Sequence, residues 1–229
     1  MKVVLTRERG HNERLRSWLP EGCEVAEIPV TETDYFDEAA VLEDVRSSDS
    51  FGAFATLVVT SARSARYVGS IARSLVEDAD CFTVGATTSD AVATAGVRVS
   101  AQSAGAALDL AGQVTRPPVL VLGAARMRDE LAEALRSRGL AVTVVPCYET
   151  RRLTLSDDQR TELTGADVVF VGAPSAWSVL ADAVPRTTWV VVPGRTTAEA
   201  VGATHGRVVQ GWGPSLRERL VEPTNDPER

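Results

Sequence analysis

A chain of 229 residues exceeds the usual single domain and falls short of three, so two domains of roughly 100 to 120 residues are expected. Its 31 Asp and Glu outweigh 24 Lys and Arg, and the net charge of −7 argues against a nucleic acid or an anionic membrane surface as main partner. Any anionic ligand must then be held by local donors, and a hydrophobic content of 44% leaves ample material for cores. Cys23, Cys81 and Cys147 are odd in number and unclustered, which fits neither a disulfide framework nor a zinc site and points to a reducing cytoplasm. The start MKVVLTRERG turns charged after three apolar residues, and no apolar run approaches the roughly 18 residues of a membrane span.

In chain order, Lys2 to Thr6 reads as a β-branched strand, and Leu15, Trp18 and Leu19 at helical spacing mark a helix behind it. After Pro20 and Gly22, CEVAEIPVTET is a strand running into an extended stretch, and Asp37 to Arg46 is a helix ended by SSDS. LVVTSARSARYV gives a strand from Leu57 to Thr60, a Thr60-Ser61 turn, and a helix with Ala65, Val68, Ala72 and Leu75 on one face. The strand Phe82 to Val84 delivers the turn VGATTSDAV. VRVSAQSAGAALDL then reads as strand, small-residue turn and a helix capped by Ser103 and carrying Leu108 and Ala111, which Pro117-Pro118 stops. From Val119 a strand, a Gly123 turn, a helix with Met127, Leu131, Ala134 and Leu135, and a second strand follow.

The remainder repeats this plan. VVFVGAPSAWSVL parallels LVVTSARSARYV, and VVVPGRTTAEAVGATHGRVVQGWGPSLRERL parallels FTVGATTSDAVATAGVRVSAQSAGAALDL through the turn before the last helix. An internal duplication of about a hundred residues follows. Strands alternating with helices imply doubly wound parallel α/β domains, whose ligands sit at the carboxyl ends of strands. The Pro-containing segments IPVTET (28–33) and VPCYET (145–150) also match, and two such linkers at equivalent places suggest a cleft lined by turns from both copies.

Gly85-Ala86-Thr87-Thr88 and Gly194-Arg195-Thr196-Thr197 put hydroxyls and unpaired backbone N–H groups where a strand enters a helix, and the helix dipole there favours anions. Either copy alone would be ordinary N-capping by threonine; the pair points to a shared ligand role. Thr60-Ser61 and Pro174-Ser175 add two more such turns. Arg126 and Arg128 stand at a helix start, where a cation is electrostatically misplaced unless a ligand carboxylate or an acid such as Asp129 or Glu130 joins it, and Arg7 just past the first strand is similar. Tyr148, on a linker segment, could supply a proton or hydrogen bond. There is no GxxxxGK[ST], GxGxxG or metal-ligand cluster, so neither a nucleotide cofactor nor a metal is expected. His11 and His205 are expected to be exposed and form no triad, and the cysteines to be small core residues.

Taken in order, Thr6-Arg7, Thr60-Ser61, VGATTSDAV, Arg128 to Leu131, VPCYET, APSAW and VPGRTTAEAV resemble the uroporphyrinogen-III synthase family over essentially the whole chain. The resemblance implies two similar doubly wound α/β domains joined by a two-stranded β-ladder, one from residues 1–33 and 150–229 and the other from 34–149, with the ladder near 28–33 and 145–150. It implies a cofactor-free lyase that cyclises hydroxymethylbilane, a linear tetrapyrrole, into uroporphyrinogen III by way of a spiro intermediate, with loss of water and inversion of the last ring. Eight substrate carboxylates would need many donors, which turn N–H groups, hydroxyls and a few arginines can supply. Position by position, Tyr148 matches the tyrosine that helps the hydroxyl leave; Ser61 and Thr88 match cleft hydroxyls of the middle domain, and Ser175, Thr196 and Thr197 those of the other. Arg7, Gly85, Thr87, Arg128 and Gly194 complete the expected binding set.

Two departures stand out. Gly172-Ala173 occupies the place where the family carries Thr or Ser before Pro-Ser, and Glu8 stands where Pro often follows Thr-Arg. The first removes hydroxyls from the site, so a non-catalytic tetrapyrrole-binding sensor is the alternative, with an unrelated small-anion binder as a third reading. The upstream bilane-forming deaminase is the expected protein partner, and with no long apolar helix or heptad to advertise an interface the chain is expected to be a monomer.

Overall fold

The computed structural model describes residues 1–104, 106–213 and 215. Its elements are β1 (Lys2–Leu5), α1 (Glu13–Arg16), β2 (Glu24–Glu27), β3 (Thr31–Tyr35), α2 (Glu38–Arg46), β4 (Phe54–Val59), α3 (Val68–Ile71), β5 (Leu75–Val84), α4 (Ala86–Thr94), β6 (Ala101–Ser103), β7 (Val119–Ala124), α5 (Glu130–Ser137), β8 (Val142–Arg152), α6 (Asp157–Thr164), β9 (Val168–Phe170), α7 (Pro174–Leu180), β10 (Trp189–Val192), α8 (Arg195–Gly202) and β11 (Val208–Gln210). The helix expected in PSLRERL lies outside the described residues. The chain divides into two compact units, Met1–Thr33 with Arg151–Arg229, and Asp34–Thr150.

The first unit holds a five-stranded sheet in the order β11-β10-β9-β1-β2, all pairs parallel. Both faces are buried, as parallel sheets require. Val4, Val169, Val190 and Val192 pack with Leu163 of α6, Trp177 and Leu180 of α7 and Val201 of α8. Val3, Leu5, Phe170 and Val191 pack on the other side with Leu15 and Leu19.

The sheet of the second unit has the order β3-β8-β7-β4-β5-β6, parallel from β8 to β6. Leu57, Val59, Leu120 and Leu122 meet Val41 and Val45 of α2, Val68 and Ile71 of α3 and Val92 of α4. Val58, Val119 and Val121 meet Leu131 and Leu135 of α5 on the opposite face. Backbone bonds from Phe36 N to Cys147 O (3.0 Å) and from Leu153 N to Val30 O (2.9 Å) bracket the pairing of β3 with β8.

Several local expectations change. The helix after Thr60-Ser61 is two 3-10 stretches, 62–67 and 72–74, around the single turn of α3. Its tighter winding gives a period of three. Ala65, Val68 and Ile71 therefore face the core, Ala72 is exposed, and Leu75 already belongs to β5. In VRVSAQSAGAALDL the strand is Ala101–Ser103, so Ser103 ends a strand and caps nothing, and the helix is one 3-10 turn, Ala107–Leu110. That turn buries Leu110 and leaves Leu108 50% exposed. The helix expected from Met127 onward begins only at Glu130. Behind β1, α1 is a single turn, though Leu15 and Leu19 are buried as the spacing predicts.

Leu120 is fully buried in β7. Leu120→Ala is expected to destabilise the protein by about 2–5 kcal/mol through lost transfer energy and the cavity left behind. Urea unfolding followed by circular dichroism measures this, and a loss under about 1 kcal/mol would contradict the packing described.

Candidate functional site

Strand β5 runs into α4 through Gly85, whose φ of +79° lies in the left-handed region that favours glycine. Gly85 donates its N–H to the Ser103 carbonyl (3.1 Å), and its own carbonyl accepts from Thr88 N (3.2 Å) and Ser89 N (3.1 Å). No side chain caps α4. The N–H groups of Ala86 and Thr87 thus lack intrahelical acceptors, with the Thr87 side chain exposed beside them and Thr88 turned into the protein at 5% exposure.

In the first unit, β10 reaches α8 through Gly194, again without a side-chain cap, and the Gly194 carbonyl accepts from Ala198 N (3.0 Å). Thr196 is exposed and Thr197 buried, the same alternation as Thr87 and Thr88. The backbone differs, because Gly194 is extended (φ −165°), a conformation open to any residue. Neither threonine pair acts as an N-cap, so ordinary capping does not account for them.

Ser61 precedes the 3-10 stretch at 62–67, and its hydroxyl accepts from Arg63 N (3.3 Å). The Arg63 guanidinium carbon lies 5.7 Å from the centroid of the Tyr148 ring. Tyr148 sits on β8 opposite Ala124 and is 6% exposed, with the Tyr35 ring 6.3 Å away. Arg66 in turn covers Tyr35 at 4.4 Å and Tyr67 at 5.6 Å. Tyr67 donates its hydroxyl to the Phe36 carbonyl (2.6 Å), and burial raises its pKa. The second unit thereby joins Ser61 to Tyr148 through Arg63, a residue the sequence reading passed over along with Tyr35. A signal was present: Arg63 is a cation two residues into a turn of the kind that made Arg126 and Arg128 conspicuous.

Arg126 and Arg128 occupy the turn between β7 and α5 instead of the helix start, and Glu130 and Glu133 fill the first helical turn, where the dipole favours acids. Arg128 is exposed, whereas Arg126 pairs with Glu149 (3.0 Å) at 87% side-chain exposure, an arrangement of little energetic weight.

At the end of β1, Thr6 donates its hydroxyl to the Phe170 carbonyl, as Thr60 does to Leu122 at the end of β4 (3.0 Å). These hydroxyls are engaged in holding strand ends. Glu8 accepts from both the backbone N–H (2.8 Å) and the hydroxyl (2.9 Å) of Thr33, tying the turn after β1 to the start of β3. Arg7 lies with its guanidinium carbon 5.6 Å from the Trp212 ring centroid. Ala173, extended at the start of α7, offers no cap, and Ser175 is exposed with its carbonyl accepting from Ser178.

His205, expected to be exposed, is buried at 3%: its Nε2 lies 2.8 Å from the Thr188 carbonyl and its ring meets Trp177 edge-on at 5.5 Å. The short turn before β11 packs its imidazole onto α7, a tertiary contact that local polarity does not reveal. His11 remains exposed. Burial pushes the Cys81 thiol up to about 12 and the Cys147 thiol to about 11, so neither is a nucleophile at neutral pH. Among the described residues no group of three or more His, Cys, Asp or Glu could hold a metal ion, and no helix is long and apolar enough to cross a membrane.

A family model described as uroporphyrinogen-III synthase HemD matches residues 19–210. The fold is similar to that of a variant uroporphyrinogen III synthase from the extreme thermophile Thermus thermophilus, with TM-score 0.66 and 14% identity over 98% of this chain and 97% of the other. It is also similar to uroporphyrinogen-III synthetase from Helicobacter pylori, with TM-score 0.63 and 15% identity over 97% of each chain. No curated protein sequence matches.

At pH 8 a thiol reagent such as dithiobis-nitrobenzoate should label at most Cys23, which is half-buried, and all three cysteines once the chain is denatured. Rapid labelling of all three in the native protein would contradict the burial of Cys81 and Cys147.

Proposed function

The chain belongs to the uroporphyrinogen-III synthase family, and from that premise we propose that it cyclises hydroxymethylbilane to uroporphyrinogen III, inverting the last pyrrole ring. The observation that carries this reading is the family match over residues 19–210, which contains both threonine turns and every residue assigned a role from sequence except Arg7. A whole-length fold likeness to synthases from two bacteria supports it.

In this reading Tyr148 donates a proton to the departing hydroxyl, releasing water and leaving an electrophilic azafulvenium cation. The substituted carbon of the last pyrrole attacks to form a spiro intermediate. Fragmentation and reclosure give the inverted ring, and rearomatisation returns a proton. The Arg63 guanidinium carbon, 5.7 Å from the centroid of the Tyr148 ring, is placed to help orient that ring. Positioning is the larger task, since a flexible bilane must fold before it can close. Its carboxylates are assigned to the Gly85 turn through the Thr87 N–H and the hydroxyls of Thr87 and Thr88, with Ser61 and Arg128, and to the second turn through Gly194, Thr196 and Thr197, with Ser175 and Arg7.

Such a division of donors fits descent of the two units from one duplicated half. The strand order β8-β7-β4-β5-β6 of the second unit and β2-β1-β9-β10-β11 of the first coincide when VLVLG is matched to KVVLT and VGATT to VPGRTT. The β3–β8 pair is assigned to the ladder that joins them.

Freshly made hydroxymethylbilane supplied to the protein, with porphyrinogen isomers separated, is expected to give type III; spontaneous closure gives type I. Type I alone with saturable binding of the bilane would favour a sensor, the alternative motivated by the missing hydroxyls at Gly172-Ala173. Tyr148→Phe should slow turnover without abolishing it, because a positioned acid contributes roughly 10²- to 10⁴-fold and water partly replaces it. An unchanged rate would remove Tyr148 from the mechanism. Thr87→Val and Thr196→Val, at exposed positions, should each raise KM about tenfold with kcat nearly constant, the signature of a lost hydrogen bond to a charged group.

A further inference from the structure

Apart from the strand-to-helix turns, the second unit carries a cavity of about 390 Å³ that no step of the synthase reading uses, within the roughly 300–1,000 Å³ of small-molecule sites. Its apolar wall is Leu42 and Val45 of α2, Ile71 at the end of α3 and Phe51 from the turn ahead of β4. Phe51 donates its N–H to the Ser48 carbonyl (3.0 Å) and Gly52 behind it has a φ of +75°, a turn that leaves the ring 48% exposed. Arg46, the last residue of α2, and Arg73, in the 3-10 stretch at 72–74, bring two guanidinium side chains to the same cavity. Phe51 shortly precedes β4 and the lining residue Ser74 immediately precedes β5, whereas Ser61 and Gly85 follow those parallel strands. The cavity therefore lies toward the opposite edge of the sheet from the Gly85 turn.

The serines of the lining are engaged. Ser74 donates its hydroxyl to the Ile71 carbonyl (2.7 Å), and Ser70 donates to Glu38 at the first position of α2. The arginines are not: among the described residues neither Arg46 nor Arg73 forms an ion pair or a side-chain hydrogen bond. Two like charges thus border an apolar wall that ends in an exposed ring, and an anion with an apolar body would satisfy both features.

We propose that this cavity binds a small organic anion, its oxyanion head held by Arg46 and Arg73 and its apolar body lying on Leu42, Val45, Phe51 and Ile71. A guanidinium offers a planar fork of donors matched to a carboxylate or phosphate head, and the arginine stems extend the apolar wall. Covering Phe51 and its aliphatic neighbours supplies binding energy in proportion to the apolar area removed from water.

Isothermal titration calorimetry on the full chain, with octanoate as the probe and 1-octanol and acetate as controls, tests this. Octanoate should bind saturably, while octanol, which lacks the charge, and acetate, which lacks the apolar body, should bind at least about tenfold more weakly. Arg46→Gln and Arg73→Gln, at exposed positions, should each raise the octanoate Kd about tenfold, and Phe51→Ser about fivefold, with native circular dichroism throughout. Thr87→Val should leave that Kd unchanged. An octanoate Kd unaffected by either arginine substitution, equal affinity for octanoate and octanol, a Kd raised by Thr87→Val, or no saturable binding of octanoate at roughly millimolar concentration would overturn the proposal. The synthase reading is decided separately: type I product alone in the isomer assay would sink that reading and leave the anion site standing, whereas Arg46→Gln and Arg73→Gln should form type III product at the wild-type rate.

Discussion

A parallel sheet buried on both faces can offer polar chemistry only at the ends of its strands, and both units of this chain live under that constraint. Val3, Val4 and Leu5 in β1 and Val119 to Leu122 in β7 are completely buried, so their side chains are committed to cores on alternate faces. Polar donors collect where strands give way to helices: N–H groups ahead of α4 and α8, the hydroxyls of Thr87 and Thr196, and the arginines that follow β1 and β4. In a chain of net charge −7 these are the groups that could offset an anionic ligand. Two of these arginines stand near aromatic rings, Arg63 at 5.7 Å from the Tyr148 centroid and Arg7 at 5.6 Å from that of Trp212.

The architecture was legible because its signals are local and repeated. Valine-rich runs, glycine turns and amphipathic helices recur in the order that parallel α/β units demand, and the residues resembling the synthase family lie at the turns. Less legible was anything set by packing between segments distant in sequence. His205 looked like a polar turn residue, yet Trp177 and the Thr188 carbonyl bury it. The face of the 62–74 segment was misread because its winding is 3-10 over much of its length, moving the core position from Ala72 to Ile71. Ser103 had the right type for a cap and the wrong place, since the strand that should have preceded it instead contains it.

The candidate site divides the same way. Gly85 and its threonines could be found from the sequence because a glycine, two hydroxyls and an Ala-rich helix form one contiguous signal. Arg63 could not be tied to Tyr148, which lies 85 positions further along the chain and meets it only once β4, β7 and β8 are adjacent. The Gly172-Ala173 departure is a loss of hydroxyls in sequence, and the contacts at Gly172, 3.6 Å from an added Cβ to Trp212 and 3.8 Å to Arg7, are ordinary ones that give glycine no structural reason. Glu8 differs: where Pro would have lacked an acceptor, a carboxylate receives both donors of Thr33.

The proposed binding role of the strand-to-helix turns ahead of α4 and α8 is that each takes substrate carboxylates. Hydrogen–deuterium exchange with and without uroporphyrinogen III, under anaerobic conditions, tests it most directly, because the first N–H groups of α4 and α8 lack intrahelical acceptors and exchange readily until a ligand oxygen engages them. Slowed exchange at both 86–87 and 195–197 is the predicted result. Protection confined to one of these turns, or to neither, would contradict it.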